Sequence, residues 1–247
     1  MSFTVIIPAR YGSSRFPGKP LALIHGKPMI QHVFERSQKA GANRVIIATD
    51  DNRIGDLVQS FGGDVCYTKC THESGTERLA EVIEIEEIPA NEVVVNVQGD
   101  EPFIPVANIS QVAKMLIAQP NANVKMATLC FPISNRKEID NPNIVKVTFA
   151  KNGKALYFSR APIPFDRNWV QNTQSMASKA YFRHVGIYAY TAGFVSEYIN
   201  LESSHYESIE SLEQLRVLYH GYDIQIAEAN EAPPHGVDTP EDLAAFN

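Results

Sequence analysis

Three short, almost wholly apolar runs, residues 3–8, 44–49 and 92–97, are each bounded by polar or glycine-containing segments. A strand without a polar face has to be covered on both sides, so these runs predict parallel strands sandwiched between helices. The stretches between them, 28–40, 51–61 and 76–86, carry helix-compatible spacing, and Pro28 suits a first helical turn, where its missing amide hydrogen leaves no bond unmade. Strands alternating with helices imply an α/β fold with a doubly wound, mainly parallel sheet.

The second half has a different character. Residues 144–150 and 154–159 are rich in β-formers and flank Asn152-Gly153, a pair that favours a tight hairpin, so antiparallel strands are expected beside the parallel core. Residues 165–180 are polar and weakly patterned, as in a long excursion or protruding lobe. Residues 184–191 read as a strand, and 208–219 as one amphipathic helix with Ile209, Leu212, Leu215 and Tyr219 on a single stripe. No repeat, low-complexity tract or linker interrupts the 247 residues, so the chain reads as one domain, 1–247, with an antiparallel lobe at about 132–192.

Acidic residues outnumber basic ones by 28 to 22, and the net charge of -6 opposes a broad footprint on nucleic acid or an anionic membrane. An anionic ligand must therefore be met by local basic groups. Three cysteines, Cys66, Cys70 and Cys130, do not make a disulfide framework, and no second Cys/His pair completes a zinc site with Cys66 and Cys70. The start lacks a basic segment ahead of a long apolar stretch, and no stretch reaches membrane-spanning length, so a cytoplasmic location is expected.

Open α/β sheets bind ligands beyond the carboxyl ends of their strands, which directs attention to residues 9–21. There Gly12 and Gly18, where backbone amides can approach a ligand, stand among Arg10, Arg15 and Lys19, which can neutralise a triphosphate. The segment is not a P-loop: five residues separate its glycines instead of four, and Pro20 stands where a magnesium-holding hydroxyl would be. No G-x-G-x-x-G fingerprint for a dinucleotide is present either. A solvated basic loop would carry the same charges, so companion residues decide its meaning. One companion is the run 94–102, an apolar strand ending in the carboxylate of Asp100. A hard cation held there would complement a phosphate loop, although aspartate serves a turn or helix cap equally well. At 236–242, Thr239, Pro240 and Asp242 have the order of a helix start, and spacing alone does not make Asp238 a metal ligand.

Several blocks converge on one family. They are Ile6 to Arg10 with Arg15, Pro17 and 19–21; Ala-Thr-Asp at 48–50; His72; Ser-Gly-Thr-Glu-Arg at 74–78; and Asn-Val-Gln-Gly-Asp-Glu-Pro at 96–102. Further on stand Leu-Tyr-Phe-Ser-Arg at 156–160, Arg-His-Val-Gly-Ile-Tyr at 183–188, Leu-Glu-Gln-Leu-Arg at 212–216 and Gly-Val-Asp-Thr-Pro-Glu-Asp at 236–242. The set closely resembles the 3-deoxy-manno-octulosonate cytidylyltransferase, or CMP-Kdo synthetase, family from the first strand to the last few residues. Two departures are Phe16, where the family usually has leucine, and the end at Asn247, where relatives commonly continue the last helix. Neither removes a proposed ligand.

The resemblance implies a nucleotidyltransferase that moves CMP from CTP to an eight-carbon sugar acid, releases pyrophosphate, uses magnesium, works as a homodimer through its second half, and serves lipopolysaccharide synthesis. It implies a catalytic set of Arg10, Lys19, Asp100 and Asp238, the two aspartates holding magnesium. Arg10 and Lys19 would contact the CTP phosphates in a nucleotide site that includes Ala9, Arg15 and Gln98, with Ser74, Gly75 and Thr76 at the cytosine. Arg78, Gln98, Arg160, His184, Tyr188, Glu213 and Gln214 would surround the sugar acid.

Read without the resemblance, these residues keep second meanings. His184 and Tyr188 share a strand face that suits a polar pocket or a half-buried surface. Arg160 could be a surface arginine after a hairpin, Glu213 and Gln214 a solvated helix face, and Ser74 to Thr76 a capped helix start. Arg78 gains nothing from the dipole of a first helical turn, which favours a ligand role. Two competing functions remain: the same reaction on an 8-amino analogue or on sialic acid, and a non-catalytic nucleotide-sugar sensor on the same fold.

Overall fold

The structure is a computed structural model that describes residues 2–12, 16–72, 74–119, 121–167, 180–234, 236–244 and 246. The chain enters through β1 (Phe3–Pro8), then a 3-10 turn at Lys19–Leu21 and a two-strand ribbon of β2 (Leu23–Ile24) and β3 (Lys27–Pro28). Helix α1 (Met29–Lys39), β4 (Arg44–Thr49), α2 (Asn52–Ser60), β5 (Asp64–Tyr67), α3 (Gly75–Ile85) and β6 (Val93–Asn96) complete the alternating half. The apolar runs are continuous because successive residues point into different cores. Val5 and Ile7 pack with Val45, Ile47, Val93 and Val95 on one side of the sheet, while Ile6 packs with Ile46, Ala48 and Val94 on the other.

The second half supplies α4 (Val106–Ile117), β7 (Val124–Pro132), α5 (Arg136–Asp140), β8 (Lys146–Phe149), β9 (Ala155–Ser159) and β10 (Phe182–Thr191). It closes with α6 (Ala192–Tyr198), α7 (His205–Glu210), α8 (Gln214–Tyr219), β11 (Asp223–Glu228) and α9 (Pro240–Ala244). The strand order is β11-β7-β10-β6-β1-β4-β5, with the antiparallel β8–β9 hairpin branching from β10. Strand β10 runs against both β6 and β7, and the other strands of the central order run alike. The expected mainly parallel α/β sheet with added antiparallel strands is therefore what the chain adopts.

Two expectations change. The single helix over 208–219 is two short helices, because Ser211 adopts a left-handed backbone (φ 52) that no α-helix accommodates. Leu212 and Leu215 are buried, whereas Ile209 is 81% exposed, so the apparent stripe is not one face. A capping box of Ser204 and Glu207 marks the true start of α7. Most of the excursion at 165–180 lies outside the described residues.

Candidate functional site

The turn after β1 fixes the site's first cation. Gly18 takes a positive φ of 72, and a Cβ there would stand 3.0 Å from the Tyr11 ring, so glycine lets the loop close on itself and start the 3-10 turn at Lys19. The Lys19 ammonium then lies 2.7 Å from Asp100 Oδ2 and 3.3 Å from Asp238 Oδ1. Asp100 follows β6, and Asp238 precedes α9, where the Asp242 carboxylate accepts both the Asp238 and Thr239 amides at 2.9 Å. The helix start read from the sequence and the positioning of Asp238 are thus the same structure. Beside this group, burial and then the Asp100 charge push the Glu101 carboxyl up to about 7.

Two adjoining cavities share Gly75, Gln98 and Glu213. The larger, about 370 Å³, is polar and is lined by Ala9, Arg10, Lys19, Ser74, Arg78, Asp100 and Asp238 among others. Ser74 caps α3 by accepting the Glu77 amide at 3.1 Å, which aims the helix's amino end at this cavity. The smaller, about 290 Å³, is lined by Tyr188, Tyr190, Tyr198 and Gln214 among others, and among the described residues no lysine, arginine or histidine lines it. Thr76 donates to Glu213 Oε2 at 2.8 Å, and desolvation raises the Glu213 carboxyl above its usual value against the lowering effect of that bond.

Most of the expected residues therefore converge, and three are placed differently. Arg78 is buried, with Nη2 2.9 Å from Asp50 and Nη1 on the Thr68 hydroxyl, so its charge is partly spent on the protein although it edges the polar cavity. Arg160 lines neither cavity: its guanidinium donates to the carbonyls of Glu210 (2.7 Å), Pro142 (3.1 Å) and Ser211 (3.4 Å), anchoring the turn that leads to Leu212, Glu213 and Gln214. His184 sits behind Tyr188, with ring centres 5.1 Å apart, and its Nε2 lies 3.0 Å from Thr128 Oγ1. Desolvation holds its pKa down to about 3, so this imidazole is neutral. Two extra residues in β10 between Val185 and Tyr188 preserve strand parity and keep His184 and Tyr188 on one face. Arg15 lies outside the described residues.

The sequence reading passed over Asn96, Tyr190 and Tyr198, which line the smaller cavity. The signal for Asn96 was available: a polar residue ends an apolar strand where the alternation would place another core side chain.

A family described as Cytidylyltransferase matches residues 4–224. The chain is 58% identical over 243 residues to the 3-deoxy-manno-octulosonate cytidylyltransferase of Vibrio cholerae serotype O1, covering 98% of this chain and 95% of that protein. It is 59% identical over 243 residues to the Aliivibrio fischeri protein of the same name, covering 98% and 96%. A solved structure of CMP:2-keto-3-deoxy-manno-octonic acid synthetase complexed with CTP superposes with a TM-score of 0.89 at 44% identity, covering 99% of this chain and 96% of that one.

Proposed function

The chain belongs to the 3-deoxy-manno-octulosonate cytidylyltransferase family, and on that premise we propose that it joins CMP to the sugar acid in the paired cavities, with magnesium held by Asp100 and Asp238. It is a nucleotidyltransferase: CTP and 3-deoxy-D-manno-octulosonate give CMP-Kdo and pyrophosphate, the activated sugar used in lipopolysaccharide synthesis. The observation that carries the site assignment is the convergence of two carboxylates, remote in sequence, on one cation beside a polar cavity of about 370 Å³. Two hard oxygen donors facing one positive charge fit a magnesium ion by chemistry. When bound, magnesium would offset the negative charge of the triphosphate.

The chain's own groups divide the remaining work. Arg10 and Lys19, at the mouth and wall of the polar cavity, neutralise the phosphates and accept the departing pyrophosphate. The sugar hydroxyl attacks the α-phosphorus in line; the new oxygen–phosphorus bond replaces the bond to the β-phosphate oxygen, and the hydroxyl proton passes to water. The smaller cavity holds the neutral body of the sugar acid against its tyrosines, and the arginines that line the cavity beside it receive the sugar carboxylate. Cytosine selection at Ser74 to Thr76 is supported by their place at the amino end of α3.

Pyrophosphate release from CTP and magnesium, measured with Kdo, its 8-amino analogue and sialic acid and with EDTA controls, tests this reading. Metal-dependent turnover of Kdo is expected. Silence with all three sugars from folded protein that binds CTP would favour a nucleotide-sugar sensor instead.

A homodimer is supported by the surface of the second half. Among the described residues, six of the nine exposed large apolar side chains are Leu156, Phe165, Ile199, Tyr206, Ile209 and Tyr219. Ile209→Asp is expected to halve the mass seen by light scattering while leaving the melting temperature of the monomer unit measurable; an unchanged mass would move the interface elsewhere. A cytoplasmic site of action accords with the described residues, in which no helix is long and apolar enough to cross a membrane.

A further inference from the structure

Two buried polar atoms in the smaller cavity have no hydrogen-bond partner among the described residues, Asn96 Oδ1 and Gln214 Nε2. Their residues are 4% and 6% exposed and both line the cavity. Such atoms are uncommon in folded proteins, because a buried acceptor or donor left unbonded has lost its water without gaining a partner. One is an acceptor and the other a donor, and they come from different elements: Asn96 ends β6, and Gln214 begins α8.

The Asn96 wall is built to hold this side chain in place. Asn96 pairs with Ile6 of β1 on one side and with Tyr188 of β10 on the other. Val94, two residues earlier on the same face, belongs to the apolar core with Ile6, Met126 and Tyr190. An apolar residue at 96 would extend that core without any unbonded atom, so the fold itself does not call for asparagine. Gly75 is a neighbour: a Cβ there would lie 4.0 Å from Asn96 Nδ2, an ordinary contact.

We propose that Asn96 is a substrate-binding residue, its Oδ1 accepting the proton of a hydroxyl on the acceptor sugar while Gln214 Nε2 donates to an oxygen of the same molecule. The inference rests on the reaction proposed above and adds to it a residue that recognises the polyhydroxylated body of the acceptor. A polyhydroxylated molecule in the cavity gives both atoms partners, and a ligand lacking hydroxyls at these points would leave them unbonded and bind less well.

Steady-state kinetics of the full chain with CTP, magnesium and Kdo test this, comparing wild type with Asn96→Leu and with Asn96→Ala should the leucine not fold. The KM for the sugar acid is expected to rise roughly tenfold to a hundredfold, the KM for CTP to stay within about twofold, and the melting temperature to hold or rise, since the unbonded acceptor is gone. An active wild type whose variant keeps its sugar KM, or whose CTP and sugar KM values rise together with a fall in melting temperature, would overturn the role of Asn96 and leave the reaction standing. A wild type with no turnover would instead remove the reaction, and this inference with it.

Discussion

Asp100→Asn is expected to lower kcat by a hundredfold to a thousandfold or so while leaving the fold intact. The asparagine keeps the shape of the side chain and an oxygen near Lys19, but removes one of the two charges that face the ammonium at 2.7 and 3.3 Å. The fold gives up little in exchange. Asp100 is a third exposed, so its pairing with Lys19 is screened by water. Its charge also opposes ionisation of the buried Glu101 carboxyl, which already titrates near neutrality, at about 7. Neutralising Asp100 relieves that repulsion, and the melting temperature should hold or rise by a few degrees at most, as roughly 1 kcal/mol would give in a chain of this size. Circular dichroism melts and pyrophosphate-release rates measured on one preparation separate the two effects. Normal turnover by the variant would end the assignment of Asp100 to the reaction, and a large fall in melting temperature would make the residue structural.

Legibility in the sequence followed the range of the interaction. Strands β1 and β4 occupy the residues that the apolar runs predict, because burial on both faces writes a continuous pattern that nothing distant has to supply. The hairpin around Asn152-Gly153 was readable for a similar local reason. The break at Ser211 was not, because a left-handed residue that is not glycine leaves no compositional mark, and the 3.6-residue spacing ran straight across it. Convergence of Lys19 with Asp100 and Asp238 spans 81 and 219 residues and depends on strand order, so only resemblance could anticipate it. The partners of Arg78 and Arg160 illustrate the opposite failure. Each arginine looked available to a ligand, and the fold commits two donors of Arg78 to Asp50 and Thr68 and three of Arg160 to the carbonyls of 142, 210 and 211. A list of charged residues does not reveal which charges the protein keeps for itself.

Lys146→Met is expected to destabilise the protein by about 3 kcal/mol, a fall in melting temperature of roughly 6–12 °C. Lys146 opens β8 with no exposed surface, and its ammonium donates to the carbonyls of Asn141 (2.9 Å), Ile144 (2.6 Å) and Arg160 (2.6 Å). Methionine, similar in length, has no donor, so the partly buried carbonyls of Ile144 and Arg160 would lose this bond, while the Asn141 carbonyl keeps the Ile144 amide at 3.1 Å. Burial, followed by the nearby Arg160 charge, lowers the folded pKa of this lysine below its usual 10.5. Above that lowered value the unfolded chain binds more protons than the folded one, so wild-type stability gains with rising pH up to about 10.5. Methionine abolishes that gain, and the gap between variant and wild type should therefore widen in alkaline buffer. The consequence reaches the substrate through the chain itself. Arg160, whose carbonyl Lys146 holds, uses its guanidinium to anchor Glu210 and Ser211, and the next three residues line the smaller cavity. The KM for the sugar acid should therefore rise more than the KM for CTP. A variant that melts within 2 °C or so of wild type would show that the Ile144 and Arg160 carbonyls find other partners, and that Lys146 does not hold this lobe together.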